Sequence, residues 1–242
     1  MVVVFYIAAG VLLLPSTLPQ NVEDTTPKTL CKGGTYNEEY IRDYVVQPIN
    51  NHRYALLRGS EPNGPWNGTA YGKKFPLPMT MNRLEYDCSL EEKAFALLAG
   101  CCSKDTPASP TGTTALTYRI DLDYDDPELF LAVWGWTNQI NKFAVSDNAI
   151  ADKRVVFKNN DRDLYDYLHL MRAVSSKIGC ADISCSRGDV RIYRAICLLN
   201  KNPLADGGVV YNVGLGGCAK GGTCQEGVCD QFGFCDLSKK AR

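Results

Sequence analysis

Two stretches of the chain carry apolar residues at helical spacing, and the clearer lies between Met81 and Cys101. There Leu84, Leu90, Ala94, Leu97 and Leu98 share one flank, while Glu91, Glu92 and Lys93 lie largely off it. This predicts a helix bracketed by Cys88 and Cys101 with one face on a core. An earlier helix is expected from Asn37, a capping residue followed by Glu38 and Glu39 in the first turn, to Gly59. Pro48 lacks a donor and is expected to break or kink it. Asp126-Pro127-Glu128 reads as the capped start of a third helix running to about Ile140. A fourth starts at Asn160 or Asp161 and places Leu164, Tyr167, Leu168, Met171 and Val174 at helical spacing.

Past that helix the period shortens. Ile178 to Cys185 and Val190 to Leu199 are β-rich runs separated by Ser186-Arg187-Gly188-Asp189, so they are expected to pair as a hairpin. Arg154 to Phe157 reads as a short extended piece, and Gly207 to Gly214 contains a last strand. Pro and Gly punctuate Ser60 to Pro78, and Ser, Thr, Pro and Gly fill Ser103 to Thr114, so both read as loops. Trp134 and Trp136 beside Phe130 are expected to pack in the core.

Length and composition narrow the class. The 242 residues, 45% of them hydrophobic, suffice for one substantial core and a small appendage. A net charge of -1 supplies no global attraction to nucleic acid or to an anionic membrane, and neither is expected as a partner. The uncharged run Val2 to Leu14 falls short of the roughly 20 residues of a bilayer span. With Pro15 to Pro19 behind it, it reads as a secretory signal peptide over residues 1–18. Eleven cysteines and the sequon Asn67-Gly68-Thr69 point the same way, to a secreted, extracellular and disulfide-bonded glycoprotein. Eleven is odd, so one thiol is left over or pairs with another molecule, and Cys101-Cys102 is the expected place. Cys218, Cys224, Cys229 and Cys235 read as two bridges in a small C-terminal extension, residues 215–242, with three connectivities open.

Tyr86-Asp87-Cys88-Ser89-Leu90-Glu91, with Ala94 and Cys101 downstream, resembles the second helix of the CAP superfamily, the sperm-coating, antigen 5 and pathogenesis-related-1 proteins. The first helix is similar as well. Asn50 and Arg53 stand at their places in the family's His-Asn-x-x-Arg signature, with Gly59 following and Ile49 replacing the leading His. Lys177 to Ala181, Arg194 to Cys197 and Val210 to Gly214 resemble its C-terminal sheet, so the likeness covers residues 31–214. The wording is most similar to the hookworm-type secreted proteins of parasitic nematodes, including the neutrophil- and platelet-inhibitory branch. The resemblance implies an α+β fold, an α-β-α sandwich with a central antiparallel sheet, stapled by disulfides, and a Cys88 bridge to Cys180. Members carry two His and two Glu that can hold a divalent metal. Here Cys102 to Glu128 contains neither His nor Glu, Gln139 falls at the third-helix Glu, and Asp166 and His169 fall at the His and Gln of Gly-His-Phe-Thr-Gln. No metal and no cofactor are therefore expected, beyond a weak ion that Asp166 and His169 could share.

With two His in the chain and no Gly-x-Ser-x-Gly elbow, no nucleophile, base and orienting group are in view, so no catalytic residues are assigned and an enzyme is not expected. His52 reads as a helix-surface or packing residue. Asp121 to Asp126 alternates like a calcium loop but lacks its glycine and terminal Glu. Arg187-Gly188-Asp189 carries two readings. It is a turn that happens to spell these letters, or the exposed tip of a hairpin that a Cys185 to Cys197 bridge would hold rigid for a cell-surface receptor such as an integrin. The function expected is a secreted, non-catalytic factor that modulates host immunity, haemostasis or cell adhesion. The alternative is an extracellular carrier of sterol or other lipid.

Overall fold

The structure is a computed structural model that describes residues 28–68, 70–98, 107–122, 127–187 and 190–239. The expected signal peptide, Thr69 of the sequon, Cys101 and Cys102, Asp126 of the expected cap, and Gly188 and Asp189 lie outside these residues, as does the side chain of Arg187.

The central sheet consists of β1 (Glu85–Tyr86), β5 (Lys177–Arg187), β6 (Val190–Leu199) and β2 (Thr114–Leu122), in that order. β6 pairs antiparallel with both β5 and β2, whereas β1 joins the edge of β5 in parallel. Side chains of β6 alternate between two cores, as a strand buried on both faces requires. Tyr193, Ala195, Cys197 and Leu199 belong to the larger core, which also holds residues of α2 (Gln47–Arg58), α4 (Leu129–Thr137) and α5 (Tyr165–Leu170). Ile196 and Leu198 belong to the smaller core under α3 (Cys88–Leu97), with Leu90, Ala94 and Leu98. The sheet is therefore the middle layer of an α-β-α sandwich.

Asp87 caps α3 through its carboxylate, which accepts from the Ser89 and Leu90 backbone N–H groups. The start of the helix rests directly on β5 at Gly179, where a Cβ would stand 2.2 Å from the Glu91 nitrogen. Only glycine fits that approach.

The expected first helix forms with a change of pitch. Asn37 caps α1 (Glu38–Tyr40), a π-helical stretch over Ile41–Val46 follows, and α2 continues to Gly59 in the left-handed region. Pro48 does not break the run. It falls in the first turn of α2, where its missing donor is covered by the wider i to i-5 bonding of the preceding stretch, as in Gln47 N–H to Arg42 C=O.

Three other elements depart from expectation. α4 begins at Leu129 with Glu128 as its cap, so Pro127 lies outside the helix, and a 3-10 turn carries the chain on to Asn141. Trp136 is buried as expected, but Phe130 and Trp134 are 40% and 60% exposed, because they stand on the flank of α4 that no layer of the described residues covers. The fourth helix is short. The Asp161 carboxylate accepts from both the backbone and the hydroxyl of Ser146, holding 159–164 as a kinked 3-10 turn, and Ala173 has left the helix to donate to Val210. β7 (Val209–Asn212) does not extend the central sheet but forms a second one with β3 (Ile150–Ala151) and β4 (Arg154–Val156).

Disulfide pairing also differs. Cys88 is bridged to Cys31, not to Cys180, which pairs with Cys197 directly opposite it on β6. Cys180 belongs to the larger core, on the face turned away from α3, so Cys88 is out of its reach. The same register places Cys185 opposite Ile192, which excludes the expected Cys185 to Cys197 bridge at the hairpin tip. In the tail Cys218 pairs with Cys229 and Cys224 with Cys235. The tail is tied to the sandwich through β9 (Cys235–Asp236), where Cys235 donates to Met81 and accepts from Arg83.

Candidate functional site

Two places collect the residues singled out in the sequence, a groove beside α2 and α4 and the end of the β5–β6 hairpin. Beneath the groove, polar side chains from four segments form one chain of hydrogen bonds. Gln139 donates through Nε2 to Asp166 Oδ2 at 2.8 Å and accepts from the Tyr167 backbone N–H at 2.9 Å. The Tyr167 hydroxyl donates to Glu61 Oε1 at 2.7 Å, and the same oxygen lies 2.7 Å from His52 Nδ1. Glu61 and Tyr167 are buried, whereas His52 keeps about a third of its side chain exposed, 29%, on the groove wall. The cavity measures about 460 Å³, with Tyr44, Pro48, Phe130 and Trp134 supplying apolar walls above His52 and Glu61. Glu61 was not singled out in the sequence. It stands in a stretch that reads as loop, and no local pattern marks it as the partner of His52 or of Tyr167.

Gln139 and Asp166 do meet, as the resemblance implies for these positions, but the set does not fit a metal. Gln139 spends both ends of its amide on Asp166 and Tyr167. His169 turns away into the core, with Nδ1 on the Tyr165 carbonyl at 2.7 Å and Nε2 accepting from the Leu204 N–H at 2.8 Å. Neither imidazole nitrogen retains a lone pair for an ion, so the weak site shared with Asp166 does not form. Burial pushes the Asp166 carboxyl up to about 6 and pulls His169 down to about 4. In the tail, Cys218, Cys224 and Cys235 cluster closely enough to suggest ligands, but all three are consumed in bridges.

Hydrolysis at the groove would need a nucleophile beside His52. Among the described residues of the lining, the one aliphatic hydroxyl, Thr137 Oγ1, is turned back onto the Val133 and Trp134 carbonyls, and no Ser or Cys joins it. The groove is suited to binding.

At the hairpin, Arg187 pairs with Val190, leaving Gly188 and Asp189 as the residues between the paired strands. Burial along β6 begins at Ile192, while Val190 and Arg191 are exposed, so the strands run out past the core. Asn67 of the sequon is exposed in the loop after α2.

The signature residues of the first helix have structural work. Asn50 exchanges two hydrogen bonds with the backbone of Leu84, and Arg53, fully buried, spreads its guanidinium over the carbonyls of Asn82, Leu170, Arg172, Ala173 and Ser175. These bonds hold the lead-in to β1 and the connection from α5 to β5 against α2.

No curated protein sequence matches the chain. Among solved structures, it aligns with NaASP2 with Zn2+ over 85% of its own length and 99% of that chain, at 19% identity and a TM-score of 0.65. BmVAL-1 aligns at 19% identity over 85% of this chain and 98% of that one, with a TM-score of 0.63. The Hookworm Platelet Inhibitor aligns over 88% and 98%, at 19% identity and a TM-score of 0.57. At these identities the likeness is one of fold. The family model of CAP, the cysteine-rich secretory protein family, matches residues 46–199, from the start of α2 to the end of β6. That span holds the sandwich, the Asn50 and Arg53 clasp and the Cys180–Cys197 staple, and the chain belongs to the CAP family of cysteine-rich secretory proteins.

Proposed function

We propose that this protein is a secreted, non-catalytic CAP-domain binding protein that engages a host cell-surface receptor, an integrin, through Arg187, Gly188 and Asp189. The observation that carries this reading is the β5–β6 hairpin, whose strands continue past the buried core to the Arg187–Val190 pair, with Gly188 and Asp189 the residues between them in the sequence. The two strands are paired from Ile178 to Arg187 and joined by the Cys180–Cys197 bridge. An Asp carboxylate completes a metal site on the receptor and the Arg meets receptor carboxylates, with Gly keeping the backbone between them bare. A protein of this fold is a hookworm platelet inhibitor, which makes blockade of adhesion the natural assay.

The wild-type protein is expected to block adhesion of platelets or leukocytes to an integrin ligand. Asp189→Ala is expected to lose about tenfold or more in potency, the scale of one charge-assisted contact, at unchanged thermal stability. Equal potency of the variant and the wild type would remove the tripeptide from the reading.

The groove supports a second reading, a lipid carrier, because its apolar walls and volume of about 460 Å³ suit part of a sterol or acyl chain. Under that reading a labelled sterol saturates at one site per chain, and Trp134→Ala weakens binding roughly tenfold by removing one apolar wall. Absence of saturable uptake would exclude it.

A further inference from the structure

A third cleft lies on another part of the molecule, where the sandwich, the second sheet and the Cys-rich tail meet. It measures about 620 Å³, and its walls include Arg154 of β4, Arg172 after α5, Lys201 after β6, Asn212 of β7 and Gln225 and Glu226 of the tail. Three cations face one acid. Among the described residues, the Arg154 and Lys201 side chains have no hydrogen-bonding or ionic partner. The Arg172 side chain makes one bond, Nη1 to the Asn202 carbonyl at 2.6 Å, while its Nε is buried with no partner among the described residues. A buried guanidinium N–H without an acceptor costs free energy that an incoming anion would recover.

We propose that this cleft is a binding site for a sulfated oligosaccharide. The cations come from three separate segments, a spacing that suits an anion carrying several charged groups along its length better than one compact phosphate. Arg172 offers the planar fork that grips a sulfate oxygen pair, and Arg154 and Lys201 neutralise further groups. The amides of Asn212 and Gln225 supply donors and acceptors for sugar hydroxyls. Among the described residues the one aromatic residue in the lining, Tyr211, is buried and offers no exposed ring on which a nucleobase could stack. With a net charge of -1 the chain as a whole does not attract polyanions, so binding depends on this local arrangement. Gln225 and Glu226 sit beside the Cys224–Cys235 bridge, so the cleft requires the oxidised tail docked on the sandwich.

The test is calorimetric titration of the full chain with a heparin-derived hexasaccharide. One site per chain is expected, with affinity falling as salt is raised. Arg154→Ala combined with Lys201→Ala is expected to weaken binding about tenfold, and Arg172→Gln by a similar factor. The double variant changes two side chains that hold nothing else together, so its melting temperature should match the wild type. Lys32→Ala, which removes one positive charge from a different cleft as Arg172→Gln does from this one, is expected to bind as the wild type does. Hyaluronan, which carries carboxylates and no sulfate, is expected not to compete. Absence of binding, wild-type affinity in the double variant, an equal loss in Lys32→Ala, competition by hyaluronan, or displacement by inorganic sulfate at matched sulfate concentration would each overturn the assignment. None of these outcomes bears on the hairpin, so adhesion blockade and glycan binding fail independently.

Discussion

Arg53→Ala is expected to cost about 4 kcal/mol of stability and to lower the melting temperature by roughly 10 °C. The guanidinium is fully buried with no acidic partner among the described residues, and five backbone carbonyls surround it at 2.6 to 3.5 Å. Burial lowers its pKa to about 9, so it remains a cation at neutral pH, stabilised by carbonyl dipoles in place of a carboxylate. Truncation takes the side-chain donor from the Asn82, Leu170 and Ser175 carbonyls, each at a cost of about 1 to 3 kcal/mol before relaxation, while the Arg172 and Ala173 carbonyls keep the backbone N–H groups of Ser175 and Asn82. It also opens a cavity where α2 meets the segment from Leu170 to Ser175. Arg53→Lys retains the charge but cannot reach all five acceptors, and is expected to lose about half as much. Chemical denaturation with the disulfides intact measures both. A loss below about 1 kcal/mol in Arg53→Ala would show that the clasp is not what holds the connection from α5 to β5.

Asp166→Asn is expected to stabilise the protein by on the order of 2 kcal/mol at pH 7.5, with the gain fading as pH falls to 4. Asp166 is pushed up from 3.8 to about 6 by burial, against the opposing hydrogen bond from Gln139. Between those values the folded chain binds more protons there than the unfolded chain. Ionisation therefore costs nothing at acid pH and progressively more as pH rises to about 6. Asparagine keeps the acceptor for Gln139 and removes the charge. His169 works in the opposite sense, being pulled from 6.5 to about 4 by burial, with both nitrogens committed while neutral. There the unfolded chain binds more protons, so the stability is present above about pH 6.5 and lost as pH falls through 4, on the order of 3 kcal/mol. In the wild type the two slopes offset one another between about pH 4 and 6. In Asp166→Asn the His169 slope stands uncovered, and the variant should lose stability more steeply than the wild type on acidification. Urea denaturation of both proteins at pH 4.5 and 7.5 tests this, since contributions from other groups cancel in the difference. A difference between them that does not change with pH would refute the account.

Much of the sandwich could be read before the structure. The two β-rich runs and the α3 flank of Leu90, Ala94, Leu97 and Leu98 pack as expected, because their periodicity reflects burial on one face or on both, whereas Leu84 precedes the helix and joins the larger core. Asn37 and Gly59 marked the ends of the first helix, since capping depends on a few neighbouring residues. Pro48 misled because a π-helical stretch is a cooperative choice of the whole segment, packed through Ile41 and Val45. Trp134 misled because an apolar residue in an apolar run carries no label for the flank that will face water.

The candidate site was less legible. Gln139 beside Asp166 followed from a resemblance, but the committed nitrogens of His169, the partnership of His52 with Glu61 and the convergence of Arg154, Arg172 and Lys201 did not. These residues lie far apart in the chain and are brought together by the layers they ride on.

The sequence by itself determined the helices, the hairpin, the disulfide-rich class and the family's framework, because local spacing, capping and composition act over short distances. Only the tertiary structure decided which cysteines pair, which aromatic residues face solvent, and which charged groups share a cleft. Each depends on strand register and on which face of an element meets its neighbour. A shift of one residue in β5 would turn Cys180 toward α3 and reverse every one of its contacts.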